Sequence, residues 1–292
     1  MTILLDGAVG TELERRGARM ALPLWSAHAL VDDPPLVRAI HRDYLLAGAQ
    51  VISTNTFRTH ARNLAAGDMA DRAGELTRLA VALAREARIE VAAVDPEVAH
   101  AAIAGSISPL EDCYQPERSP VRARAFAEHR AIARDLAAAG CDLLLCETMG
   151  RVDEACAAAE AALETGLPVW VSVVGRGDGR LLGGEAFGEL TAALAGLRIG
   201  ALMVNCTQLA DLPAVLPAFL EAAEGHPWAL GLYPHTGHHD PERGWQTHAI
   251  DAEGFADRMA AIVAEHPRLH LVGSCCGSTP AWTAALGRRV HP

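Results

Sequence analysis

Three cysteines occupy positions from which they could act together. Cys206 ends the apolar run Ala201-Leu202-Met203-Val204-Asn205, and Cys275-Cys276 follow Leu269-His270-Leu271-Val272 between Gly273 and Gly277. Neighbouring side chains on a strand point to opposite faces, so Cys275 and Cys276 serve one site only where the backbone turns. Gly273 and Gly277 are expected to supply that turn, because glycine reaches positive φ without a Cβ clash. Three thiolates from two strand ends suit Zn2+ with one coordination position left open. The competing reading is packing, since free cysteine is commonly a small buried residue. Cys113, Cys141, Cys146 and Cys156 are read in that second way.

Two carboxylates and a histidine loop join the candidates. Glu147 follows Leu143-Leu144-Leu145-Cys146, so its charge is partly desolvated and calls for a cation, either an arginine or a substrate ammonium. Asp6 precedes Gly7 and puts a carboxylate beside exposed backbone amides, although a turn or helix-cap aspartate looks the same in sequence. His235, His238 and His239, within Tyr233-Pro234-His235-Thr236-Gly237-His238-His239-Asp240, form a rival metal site. Flanking Pro, Gly and Asp make that segment a polar loop, where histidines are usually just solvated.

Composition removes several chemistries. The 292 residues include no lysine, which excludes Schiff-base catalysis and the phosphate-binding lysine of a P-loop. A net charge of −11, from 36 acidic and 25 basic residues, disfavours a nucleic-acid partner. Half the residues are hydrophobic, yet no run of eighteen apolar residues occurs, so a full core without a membrane span is expected. The start, Met1-Thr2-Ile3-Leu4-Leu5-Asp6, lacks a basic segment before a long apolar stretch. Seven cysteines without the dense spacing of a secreted scaffold point to reduced thiols. The expected location is the cytoplasm.

The elements that must position these residues alternate in type. Eight strand-like runs are expected: Ile3 to Asp6, Gln50 to Thr54, Ala101 to Gly105, Asp142 to Glu147, Val169 to Val174, Ala201 to Asn205, Trp228 to Leu232 and Leu269 to Gly273. Between them lie stretches of helical periodicity such as Pro35 to Ala47, Asp71 to Val91, Val121 to Ala139 and Asp251 to Ala264. Asp251 reads as an N-cap, and Gly140 and Gly166 as helix stops. Eight repeats of strand then helix predict an α/β fold, a single (β/α)8 TIM-type barrel over residues 1–292, with an open doubly wound sheet as the rival. Active sites of such barrels lie where the strand C-termini emerge. Asp6, Asn55, Glu147, Cys206, Cys275 and Cys276 all fall at such ends, which favours the metal reading.

Taken together, Asp6-Gly7-Ala8-Val9-Gly10-Thr11-Glu12-Leu13, Thr54-Asn55-Thr56-Phe57, Glu147-Thr148, Asn205-Cys206-Thr207 and Gly273-Ser274-Cys275-Cys276-Gly277 resemble the homocysteine S-methyltransferase family. The resemblance runs in order along nearly the whole chain. It implies a (β/α)8 barrel, zinc on Cys206, Cys275 and Cys276, and the amino-acid end of homocysteine held by Asp6 and Glu147, with Gly7 and Asn55 lining the same site. It implies small-molecule partners only, homocysteine and a methyl donor, with S-methylmethionine favoured and S-adenosylmethionine second. Four departures bear on acceptor and donor: Ser274 replaces a usual glycine, and His235 a common asparagine. Leu182-Gly183-Gly184-Glu185 replaces a more polar loop, and Thr148 stands where betaine enzymes carry tyrosine. Another thiol or selenol acceptor, or a corrinoid partner that makes the chain half of a split methionine synthase, therefore stays open. So do a zinc hydrolase, whose sites favour His and carboxylate ligands, and a non-catalytic zinc or thiol-binding protein.

Overall fold

The computed structural model describes residues 2–291 apart from 241–243 and 247–249, with only the backbone course given for 238–240 and 244–246. Eight parallel strands form one sheet: β1 (Ile3–Leu4), β2 (Val51–Ser53), β3 (Ala102–Ile107), β4 (Leu143–Met149), β5 (Val169–Val173), β6 (Ala201–Gln208), β7 (Ala229–His235) and β8 (Leu269–Val272). Each pairs with its successor from β2 to β8, and β8 pairs with β1. The ring closes between β1 and β2 through a parallel bridge, Leu5 to Val51. There the Gln50 amide donates to the Leu4 carbonyl at 2.8 Å and the Asp6 amide to that of Val51 at 2.9 Å. This is the (β/α)8 barrel; the open-sheet alternative is excluded by that closure.

The crossover helices are α1 (Pro34–Leu46), α2 (Ala73–Ala92), α3 (Arg122–Ala139), α4 (Val152–Leu163), α5 (Phe187–Leu194), α6 (Leu212–Ala222) and α7 (Ala252–Glu265), and α8 (Pro280–Val290) follows the last strand. Their ends obey local chemistry. Asp33 accepts from the Leu36 amide ahead of Pro34-Pro35, and Asp251 from the Gly254 amide at 2.8 Å. Gly140 stops α3 in the left-handed region at φ 89°. Among the described residues, no helix is long and apolar enough to cross a membrane.

Strand alternation sorts side chains into two layers. On β4, Leu143 and Leu145 fill the barrel interior while Leu144 and Cys146 pack against the helices. On β6, Ala201 and Met203 point inward, Leu202 and Val204 outward. The period of two therefore delivers Glu147 inward at the end of β4. It would send Cys206 outward. A register shift between Asn205 and Gln208, with Cys206 at φ 46°, reverses that direction and places its sulfur with the inner layer.

Candidate metal and substrate site

The strand C-termini open into a cavity of about 830 Å3. On its wall the three thiols converge: Cys206 Sγ lies 3.9 Å from Cys276 Sγ, and Cys275 Sγ lies 4.0 Å from Cys276 Sγ. All three fall within 4.8 Å of one another, and among the described residues they are the one group of three or more His, Cys, Asp or Glu side chains so arranged. Sulfurs at about 2.3 Å from a tetrahedral zinc stand ~3.8 Å apart, which the spacings of Cys276 to Cys206 and to Cys275 match closely. All seven cysteines are free. Cys275 is held well below the usual thiol range because Cys206 and Cys276 hydrogen-bond to it, and Cys206 is correspondingly raised.

The cysteine pair is fixed by its backbone. The Cys275 amide donates to Pro234 at 2.9 Å, the Thr236 amide to the Cys276 carbonyl at 3.0 Å, and the Gly277 amide to Thr11 Oγ1 at 3.0 Å. Gly277 adopts φ 85°, as expected of the turn. Gly273 does not reach positive φ. Its role is close approach, since a Cβ there would sit 2.8 Å from that of Leu5 and 3.1 Å from the Asp6 carbonyl.

Asn205 forms the second brace. Its Oδ1 accepts from the Thr148 amide at 3.0 Å and from Ser172 Oγ at 2.8 Å, while Nδ2 donates to Thr148 Oγ1 at 2.8 Å. Thr148, at φ 62°, in turn directs its hydroxyl to Cys206 Sγ at 3.9 Å. Two non-glycine residues in left-handed conformations thus face each other across β5, locked by one fully buried amide.

Glu147 and Asp6 face the same cavity. Burial raises Glu147 to about 7, Ser106 Oγ donates to its Oε1, and the negative charge of Cys275 adds to the rise. Among the described residues it has no ion-pair partner, so the arginine anticipated as one alternative is absent. Asp6 is held well above the usual carboxylate range, first by burial and also by Glu147, against donation from the Ser53 amide at 2.7 Å. Asn55 lines the cavity but gives its Nδ2 to the Ser26 carbonyl at 3.0 Å. Gly7 also lines it, and a Cβ there would meet Ser278 Oγ at 2.5 Å and the Tyr44 hydroxyl at 2.8 Å. His235 lies in the wall at the end of β7, outside the thiol group, and its ionisation is lowered by burial. The side chains of His238 and His239 lie outside the described residues.

Some participants carry no signal that the sequence reading used. Cys113, read as packing, lines the cavity near the cluster, its thiol pushed up to about 12 by burial. Tyr114 follows it in the loop after β3; the residue is 42% exposed, but its hydroxyl end, on the cavity side, is raised first by desolvation, then by the charges of Cys206 and Cys276. Ser106, two residues before Ser108 on a buried strand end, and Trp25, edge-on to Phe57 at 5.9 Å, complete the wall. The Asp-Cys-Tyr triplet at a strand-end loop was the available cue.

The family model for homocysteine S-methyltransferase matches residues 3–290. The homocysteine S-methyltransferase of Escherichia coli K12 is 36% identical over 301 residues, covering 98% of this chain and 94% of that protein. Homocysteine S-methyltransferase YbgG of Bacillus subtilis 168 is 30% identical, covering 97% and 95%. The crystal structure of the E. coli homocysteine methyltransferase MmuM in its metallated form superposes with a TM-score of 0.85 at 33% identity, covering 99% of this chain and 96% of that one. The chain belongs to the homocysteine S-methyltransferase family.

Proposed function

We propose that this protein is a zinc-dependent methyltransferase that moves a methyl group from a small onium donor to the thiol of homocysteine, giving methionine. S-Methylmethionine is the favoured donor and S-adenosylmethionine the second. The observation that carries this reading is the convergence of three thiols on a cavity whose carboxylate, Glu147, has no ion-pair partner among the described residues. Cys206, Cys275 and Cys276 would hold the ion with one position open to the cavity. When bound, zinc keeps an acceptor sulfur in its thiolate form at neutral pH, where a free thiol of pKa about 8.5 is mostly protonated.

The remaining work falls to the chain's own groups. Glu147 and Asp6 bind the acceptor's ammonium, which orients its sulfur toward the cysteines. The acceptor thiol gives up its proton to solvent on binding. A sulfur electron pair then forms the new carbon–sulfur bond while the donor's bond to the same methyl breaks, its pair leaving with the neutral thioether. The donor's positive charge disappears in that step, so a wall that positions the donor without stabilising the cation strongly favours transfer. Seven free cysteines support a reducing, cytoplasmic location.

The test is to measure zinc in the reduced protein and methionine formed from homocysteine with each donor, using metal-stripped protein as control. About one zinc per chain is expected, lost in Cys206→Ser. Full metal content in that variant refutes the ligand assignment. No methionine from any onium donor, with zinc present, refutes the proposed reaction.

A further inference from the structure

Arg58 lines the cavity, and the acceptor reading leaves its charge unused. It follows Phe57 in the loop after β2, with its guanidinium 5.6 Å from the Phe57 ring centre. The loop is tied down by Thr56 Oγ1, which donates to the Ser106 carbonyl at 2.7 Å. Arg58 Nη1 reaches only a main-chain oxygen, the Glu111 carbonyl, at 3.3 Å. Its Nε is buried without a hydrogen-bond partner. Nearby carboxylates are already taken: Arg62 holds Glu111 at 2.9 Å and also Glu128, and Arg118 approaches Glu111 at 3.6 Å. Among the described residues, Arg58 therefore lines the cavity as a guanidinium without a carboxylate, and a buried unpartnered N–H is the kind of group a ligand completes.

We propose that Arg58 binds the carboxylate of the methyl donor, so that the donor is an onium compound bearing a carboxylate. The inference rests on the methyl-transfer reading above. Displacement at a methyl carbon is collinear, which puts the donor opposite the acceptor sulfur. The acceptor sits against the thiol cluster and the two carboxylates at the strand ends. The donor consequently takes the part of the cavity that the acceptor leaves, and the loop after β2 lines that cavity with Arg58 and with Phe57, which packs edge-on to Trp25. Glu147 and Asp6 answer the acceptor's ammonium; Arg58 answers the opposite charge on the second substrate.

The experiment compares the zinc-loaded wild type with Arg58→Gln and Arg58→Lys on three donors: S-methylmethionine, its decarboxylated analogue 3-aminopropyl(dimethyl)sulfonium, and the desamino analogue 4-(dimethylsulfonio)butanoate. Arg58→Gln is expected to raise KM for the two carboxylates about ten- to a hundredfold, the range of a charge-assisted hydrogen bond. KM for the decarboxylated donor, KM for homocysteine and zinc content should hold, with partial recovery in Arg58→Lys. A raised KM for homocysteine instead assigns Arg58 to the acceptor and overturns the proposal, as does an equal loss with all donors. Equilibrium binding of the butanoate to zinc-loaded wild type and Arg58→Gln separates the two readings. If the wild type transfers no methyl group, the reaction fails, yet equal binding by both proteins still refutes the Arg58 site.

Discussion

Glu147 carries its proton near neutrality because burial outweighs the hydroxyl of Ser106, and that sets the sign of two effects. An ammonium is bound by the carboxylate form, so homocysteine KM should fall as pH rises through about 7. In Glu147→Gln that pH dependence should vanish and kcat/KM should drop by about two to four orders of magnitude, since breaking a desolvated pair costs about 3–5 kcal/mol. Zinc should remain bound. The stability effect has the opposite direction. A folded pKa of about 7 against the ordinary value of 4.5 means the folded state keeps a proton that the unfolded chain has released. Its contribution is fully present below the unfolded value and lost as pH rises through the folded one. Glu147→Gln should therefore gain thermal stability over wild type between pH 5 and 8, measured without substrate; a pH-independent difference would remove Glu147 as the cause. The position of this carboxylate was legible because alternation along β4 points residue 147 inward. Its lack of an ion-pair partner was not, because only the fold reveals that, among the described residues, no arginine reaches it.

At the level of elements, all eight strands and their face were readable from apolar runs followed by polar ends. β3, β4, β6 and β7 run on past their expected ends at Gly105, Glu147, Asn205 and Leu232, to Ile107, Met149, Gln208 and His235. Pro234 reads as a stop because it cannot donate, but its carbonyl still accepts from Cys275. The left-handed turns at Thr148 and Cys206 were invisible because neither is glycine. Such strain costs about 1–3 kcal/mol per residue and persists where surroundings over-determine it. Here the surroundings are Asn205. Asn205→Ala should weaken zinc binding about ten- to a hundredfold, the usual loss when a group that orients a ligand is removed. Far-UV circular dichroism should stay native, and metal competition titration reads the affinity; unchanged affinity would mean the backbone holds Cys206 unaided.

Over the whole molecule, the three thiols join segments about 70 residues apart, so an ion held there braces β6 against the loop that follows β8. Chelation should lower the thermal midpoint of wild type, and added zinc should raise it by up to about 4 kcal/mol of stability at a thousandfold excess over Kd. Cys206→Ser should ignore both treatments. Closure has a temporal side as well. The Gly277 amide meets Thr11 across 266 residues, so the cysteine turn is set only once the first strand and the last have met. Cys206 leaves the ribosome well before its two companions, and a nascent chain short of β8 has nothing with which to complete the trio. On the proposed reading, metal can be loaded only after the barrel has closed, so metal in a preparation would count finished barrels rather than polypeptides.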